Sequence, residues 1–143
     1  MHIDTLAPAS ARHEIVIGAP IEVVWNLIAE IDGWSRWNPS VSKAKLNGPF
    51  ATGSTFDWRS NGVSIRSTLQ QIIPKSRIAW TGKALGTRAI HVWIFEASTD
   101  GVRVCTEESF DGWLVKMMRG SMQKTLDAAL IVWLQHLARA AQK

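Results

Sequence analysis

Cysteine is nearly absent from the sequence, tyrosine is wholly absent, and long apolar runs are missing too. Cys105 is the single cysteine among 143 residues, so an intrachain disulfide and a cysteine-based zinc cluster are both excluded. No apolar run approaches the ~18 to 20 residues that cross a bilayer, and the N-terminus lacks a basic segment followed by an apolar one. We therefore expect a cytoplasmic protein with no integral membrane segment.

Motifs for metal binding and nucleophilic catalysis are also missing. No two histidines have the i, i+4 spacing that places two ligands on one helical face, and the adjacent Glu107 and Glu108 alternate to opposite faces of a strand. Neither a GxSxG turn nor a cysteine-histidine arrangement occurs. We expect neither a metal ion nor a cofactor.

The composition favours a small globular protein over a nucleic-acid-binding one. The formal net charge is +4, but the basic residues are spread along the chain instead of forming one run. The aromatic residues are eight Trp and four Phe, and because large rings both pack cores and line ligand sites, this enrichment leaves both uses open. The length and the 46% apolar content predict one domain, residues 1–143.

The local patterns predict one strand, two short helices, six further strands and a long helix. Residues 1–10 are expected to form a loose terminus. Pro20 suits the first turn of a helix, and a second short helical turn at 34–37 ends at Pro39. Alternating segments bounded by turn residues predict strands near 11–17, 41–46, 53–60, 63–73, 77–84, 87–97 and 101–110. The tail from Gly112 predicts a single helix of about 30 residues with one apolar stripe, and the whole order is typical of an α+β fold.

Three stretches of this order carry a family resemblance, together with the long terminal helix. They are IGAPIEVVWNLIAEIDGWSRWNP (17–39), IIPKSRIAWTG (72–82) and GTRAIHVWIFEASTDGVRVCTEESFDG (86–112). Over nearly its entire length the chain resembles the helix-grip superfamily, SRPBCC, which includes START lipid-binding domains, birch-pollen-allergen-like proteins and polyketide cyclase/dehydrases. The resemblance implies a curved, seven-stranded antiparallel sheet that grips the C-terminal helix, with a deep apolar pocket between them. It implies no particular chemistry, because members carry lipids, bind hormones, cyclise polyketides or activate a chaperone ATPase.

The hairpin between 87–97 and 101–110 decides which side chains face the helix. In 101–110 the more apolar alternate set predicts the core-facing side, and it consists of Val102, Val104, Thr106, Glu108 and Phe110. A loop of two or four residues puts His91 on the same face as Glu108, either directly opposite or diagonal to it. A three-residue loop would reverse the strand and bring Val92 and Ile94 inside.

With a two- or four-residue loop, His91 and Glu108 lie within hydrogen-bonding reach inside an aromatic cavity. Such a pair is typical of a polar anchor for a ligand, of a general acid/base pair, or of a satisfied structural pair, and the sequence leaves all three open. Strand parity and helical spacing extend the predicted ligand-binding site to Phe56, Trp58, Ile65, Ser67, Leu69, Trp80, Trp93, Phe95, Thr106, Met118, Met122 and Leu126.

Three functions are consistent with these features. The first is binding of a hydrophobic or aromatic small molecule between sheet and helix, and the second is a polyketide cyclase/dehydrase-like enzyme that uses His91 and Glu108. The third is a protein-interaction or chaperone-cofactor module that uses the outer sheet face. A core filled without a void would argue against the first two. The apolar pair Val92 and Ile94 predicts that a partner, such as a second copy in a homodimer, covers the outer face.

Overall fold

The computed structural model describes residues 1–143 and confirms the α+β helix-grip fold. The strands are β1 (Ala9–Ile17), β2 (Val41–Asn47), β3 (Thr55–Ser60), β4 (Val63–Ile73), β5 (Arg77–Ala84), β6 (Thr87–Ser98) and β7 (Gly101–Asp111). The helices are α1 (Ile21–Ala29), a 3-10 turn (Ile31–Gly33), α2 (Trp34–Trp37), α3 (Trp113–Met117) and α4 (Arg119–Ala141). All seven strands form one antiparallel sheet in the order β1-β7-β6-β5-β4-β3-β2. The first strand of the chain therefore lies at one edge, beside the last.

The β6–β7 hairpin has a two-residue loop, one of the two lengths that keep His91 on the inner face. Ser98 pairs with Gly101, and the register places His91 directly opposite Glu108. Gly101 has φ +131°, and a Cβ there would lie 2.0 Å from the carbonyl oxygen of Ile17, so only glycine fits this position. The predicted parity of β6 is confirmed.

The tail is not the single helix of about 30 residues that the sequence predicts. Met118, with φ −121° and ψ 39°, separates α3 from the 23-residue α4. Val115 is fully buried and holds α3 on the sheet, whereas Met118 is 45% exposed. Gly120, in the first turn of α4, weakens helix continuation because glycine has a low helix propensity. No helix of the structure is both long and apolar enough to cross a membrane.

The apolar stripe on α4 begins later than predicted. Its buried residues are Leu126, Leu130, Trp133, Leu134, Leu137 and Ala141. Helical spacing from Gly112 would place Met118 and Thr125 on the same stripe, but both are exposed. The helix therefore packs mainly through its middle and C-terminal turns.

The N-terminal residues are not loose, because they hydrogen-bond to the outer face of the sheet. The Met1 nitrogen donates to Gln71 at 2.9 Å, Arg77 donates to the Met1 carbonyl, and the Asp4 nitrogen donates to the Ser109 hydroxyl at 3.1 Å. Val92 is fully buried within the single chain. Val92 therefore needs no partner, whereas Ile94 is half-buried, and a second copy on this face stays a prediction.

The hydrophobic core consists of one large cluster and one small satellite cluster, an arrangement that is common in single domains. The large cluster holds 20 buried residues, among them Trp34 and Trp133. The small cluster consists of Ala9, Ala11, Val115, Leu126 and Leu130. Because α4 packs mainly along β1 and β7, much of the inner face of β3 to β6 is covered by aromatic side chains instead.

Candidate functional site

An aromatic layer fills the centre of the space between sheet and helices. It consists of Trp34, Phe56, Trp58, Trp80, Trp93, Phe95 and Trp133, each at most 7% exposed. Trp34 lies at its centre, with its ring centroid 5.2 to 5.5 Å from those of Phe56, Trp58, Trp80 and Trp133. Its indole nitrogen donates to the Ile28 carbonyl at 2.9 Å. Several rings predicted to face a ligand therefore contact one another here.

A band of small and polar side chains, which we call the seam, lies on the inner face beside this layer. The seam consists of Ser67, Gly82, Ala89, His91 and Glu108, and none of the five belongs to either hydrophobic cluster. Ser67, Gly82 and Ala89 are neighbours across β4, β5 and β6. His91 is paired with Trp80 on one side, and Glu108 is paired with Ala11 of the small cluster on the other. The seam thus separates the two parts of the core.

His91 and Glu108 form the polar centre of the seam. The His91 Nε2 atom lies 2.8 Å from the Thr106 hydroxyl oxygen, a hydrogen bond. The Nδ1 atom lies 3.4 Å from Glu108 Oε2, within ion-pair distance, but it makes no hydrogen bond because the alignment is poor. The side chain of His91 is 1% exposed and that of Glu108 is 12% exposed. Burial therefore dominates the electrostatics of both groups.

Burial keeps both groups uncharged near neutral pH. Desolvation lowers the pKa of His91 to about 3 and raises the pKa of Glu108 to about 8. An ion pair at 3.4 Å would place two charges in an apolar site without the hydrogen bonds that offset their desolvation, so we assign the neutral imidazole and the neutral carboxylic acid. When Nε2 accepts the Thr106 hydroxyl hydrogen, Nδ1 carries a free N–H group.

Three buried polar atoms lack a hydrogen-bond partner: His91 Nδ1, Trp93 Nε1 and Asn38 Nδ2. An unpaired buried donor costs about 1–3 kcal/mol, so folded proteins keep few of them. Two of the three belong to neighbouring rings, because His91 stacks on Trp93 with centroids 5.5 Å apart. The centre of the molecule therefore offers free hydrogen-bond donors beside an acidic proton on Glu108.

The structure brings many, but not all, of the predicted site residues together. Phe56, Leu69, Trp80, Trp93, Phe95 and Thr106 are fully or almost fully buried in or beside the aromatic layer. Trp58 donates to Ser67 at 3.0 Å at the edge of the seam. Ile65 and Met122 are half-buried, and Leu126 belongs to the small cluster. Met118 lies apart between the two helices, and ligand contact by any of these residues stays a prediction.

Other contributors to the site gave weaker signals in the sequence. Trp34 lies in a four-residue helix, where no periodicity shows which way it points. His13 has the same parity as Ile17 in β1, and this signal could have placed it on the inner face. Its Nε2 lies 2.8 Å from Asp127 on α4, and Gln123 donates to the same carboxylate, so this network joins helix to sheet.

Solved structures with the same architecture extend over nearly the entire chain. A hypothetical protein from Helicobacter pylori, jhp0584, has a TM-score of 0.85 and 18% identity, over 97% of this chain and 91% of that one. The Zhui aromatase/cyclase from Streptomyces sp. R1128 has a TM-score of 0.81 and 13% identity, over 93% of each chain. A START superfamily protein from Mycobacterium smegmatis has a TM-score of 0.79 and 10% identity, over 93% and 97%. At these identities the similarity establishes the fold alone.

The seven-stranded sheet, the long C-terminal helix and the shared architecture define a START-like helix-grip protein. The chain belongs to the polyketide cyclase/dehydrase and lipid transport family, whose model matches residues 8–141. No protein of curated function matches the sequence.

Proposed function

We propose that the protein binds a hydrophobic or aromatic small molecule between the sheet and α4, at the seam. The observation that carries this proposal is the buried Nδ1 of His91, which has no hydrogen-bond partner and lies 3.4 Å from Glu108 inside the core. At Ala89 in the seam and beyond it toward the start of α4, inner-face positions remain half-buried, the others being Ala84, Thr87, Phe110 and Met122. A bound apolar molecule would remove this surface from water, which is the main source of affinity in such sites.

The polar groups of the seam favour a ligand that carries a hydroxyl or carbonyl oxygen. The neutral Glu108 carboxyl makes no hydrogen bond, and the nearby Nδ1 of His91 is also unpartnered. A ligand oxygen at this point would accept from these donors and relieve part of the cost of burying them. An anionic ligand group would meet no fixed positive charge in the seam, because His91 is neutral. The ligand class we propose is therefore neutral and predominantly apolar.

The substitution Ala89→Phe tests the location of the site. A phenyl ring at this half-buried seam position would occupy space that the ligand requires, so we expect the affinity to fall about tenfold or more, equivalent to about 1.4 kcal/mol. The probe is N-phenyl-1-naphthylamine, a neutral aromatic dye, and its fluorescence titration gives the Kd.

Ala97→Phe serves as the matched control, since Ala97 is exposed on the same strand outside the seam. We expect its Kd to equal that of the wild type. Equal Kd values for all three proteins would place the dye outside the seam. Native mass spectrometry of the purified wild type checks separately for a co-purified apolar molecule.

A second candidate function is a cyclase/dehydrase-like reaction at the same seam, favoured by the buried His91 and Glu108 pair. In such a reaction the carboxylic acid of Glu108 would protonate a ketone oxygen while an enol carbon of the same molecule attacks that carbonyl carbon and closes the ring, and the Nδ1–H of His91 would donate to the same oxygen. The Glu108 carboxylate would take up the enol proton, and the new hydroxyl would leave with a neighbouring hydrogen as water. If the seam is catalytic, a linear polyketone incubated with wild type yields a product lighter by one water, detected by mass spectrometry. Glu108→Gln should retain binding but lose this conversion, and equal conversion by both proteins would reject the candidate.

A further inference from the structure

Exposed apolar side chains gather at the end of the molecule where α3 and the β5–β6 hairpin meet. Leu85 is 79% exposed, Trp113 58%, Met117 74% and Met118 45%, although these are large apolar residues. We call this surface the docking tip and define it as these four residues with Lys116 and Arg119. Single exposed apolar residues are ordinary, whereas a contiguous group marks an interaction surface.

The two parts of the docking tip are held together as one unit. Leu114 donates its backbone N–H to the Gly86 carbonyl at 3.1 Å. A Cβ at Gly86 would lie 2.8 Å from the Trp113 ring, and one at Gly112 would lie 2.3 Å from the Gly86 carbonyl oxygen. Both glycines also have positive φ values, so the close approach of the two loops depends on them. Leu85 and Trp113 are therefore presented side by side.

The short helix α3 points its two sides in different directions. Val115 is fully buried against the body of the protein, and Leu114 is half-buried. Trp113, Lys116 and Met117 are spaced i, i+3 and i+4 and lie on the opposite, exposed side. Internal packing therefore does not account for these apolar residues on the exposed side.

The charges of this region have a single sign. The segment 112–126 contains Lys116, Arg119 and Lys124 and no carboxylate, and none of these three cations forms an ion pair. The flanking acids are already paired, Asp111 with Arg88 and Asp127 with His13. The docking tip is thus apolar and cationic without local neutralisation.

We infer that the docking tip binds the surface of an anionic lipid bilayer. Trp113, Leu85 and Met117 would enter the headgroup boundary, while Lys116 and Arg119 would meet lipid phosphates. A protein partner fits less well, because specific protein interfaces bury about 800 Å² and about 20–30 residues per partner, whereas the docking tip has six. This inference is independent of the proposed ligand site, since docking requires only these exposed residues.

Vesicle sedimentation tests the inference with full-length protein. We expect binding to vesicles of phosphatidylcholine mixed with phosphatidylserine, weaker binding to phosphatidylcholine alone, and a loss of binding as salt is raised. The double variant Leu85→Ser/Met117→Ser should lower the vesicle partition coefficient about tenfold or more, because two exposed apolar anchors are removed. The double variant Lys116→Glu/Arg119→Glu should lower the partition coefficient about tenfold on vesicles that contain phosphatidylserine and leave it unchanged on phosphatidylcholine alone.

Matched controls lie at the other end of the molecule. Val16→Ser replaces a 51% exposed apolar residue near the far end of β1, and Arg139→Glu reverses an exposed charge in the last turn of α4. Both should bind like the wild type. Failure of the wild type to bind either vesicle would overturn the inference, as would equal losses in the controls. A wild type that dimerises in solution and becomes monomeric in the Leu85/Met117 variant would assign the surface to a second copy instead.

Discussion

Replacing Glu108 with Gln is expected to stabilise the protein and to flatten its loss of stability with rising pH. The folded-state pKa of Glu108 is raised from 4.5 to about 8, so the folded protein holds this proton between those values while the unfolded chain releases it. The contribution of Glu108 to the free energy of unfolding should therefore fall as pH rises from about 4.5 to about 8. His91 contributes in the opposite direction up to pH ~6.5, so the net fall of the wild type lies between about 6.5 and 8. Gln cannot ionise, so we expect the variant to be more stable by about 3 kcal/mol at pH 7 and no more stable below pH ~4.5.

Urea denaturation across this pH range measures the effect, and Glu107→Gln is its control. Glu107 lies next in the same strand but faces outward, so its replacement should change the free energy of unfolding by no more than about 0.5 kcal/mol. His91 determines the pH dependence on the acid side, because its pKa is lowered from 6.5 to about 3. Its contribution to the free energy of unfolding therefore falls as pH drops through that window, in the wild type and in Glu108→Gln alike. A Glu108→Gln profile parallel to that of the wild type would show that Glu108 ionises freely in the folded state.

Trp34→Ala is expected to cause the largest loss of stability of any single substitution we consider, about 3–5 kcal/mol. The fully buried ring is in contact with Phe56 and Trp58 of β3, Trp80 of β5 and Trp133 of α4. Its removal leaves a cavity where sheet and helices meet, and these large neighbouring rings cannot close the gap without changing their edge-to-face packing.

Trp113→Ala is the matched control, because it makes the same substitution at an exposed tryptophan. Trp113 is 58% exposed in the docking tip, so we expect its removal to change the free energy of unfolding by about 0.5 kcal/mol or less. Trp34→Phe separates ring packing from the hydrogen bond to Ile28, since it retains an aromatic ring but no donor. Equal losses for Trp34→Ala and Trp113→Ala would contradict the central place of Trp34 in the core.

Strand parity could be predicted from the sequence because it depends on local turn chemistry. The placement of His91 opposite Glu108 required only the alternation within β6 and β7 and a loop of permitted length. The order of strands and helices followed in the same way from local signals. These features depend on neighbours in the chain, which are visible in the sequence.

The contents of the space between sheet and helix could not be predicted in this way. Parity shows that Trp80 and Trp93 point inward, but not that Trp34 from α2 and Trp133 from α4 meet them there. The burial of Val92 and the interruption of the C-terminal helix at Met118 likewise depend on packing between residues that are distant in the chain. Whether an inward ring contacts a ligand or another ring is decided by residues far away in the chain.

The pairing of β1 with β7 also determines when this molecule can finish folding during synthesis. Residues of β1 find their partners between 85 and 101 positions later in the chain. At ~5–20 residues per second on the ribosome, β1 therefore waits about 5 to 20 s for its partner strand. The hairpins from β2 to β6 can form in the meantime. β1 stays unpaired until β7 is made and pairs with both β1 and β6. Slow translation would thus prolong the exposure of an unpaired strand, which is the state in which chaperones and aggregation compete.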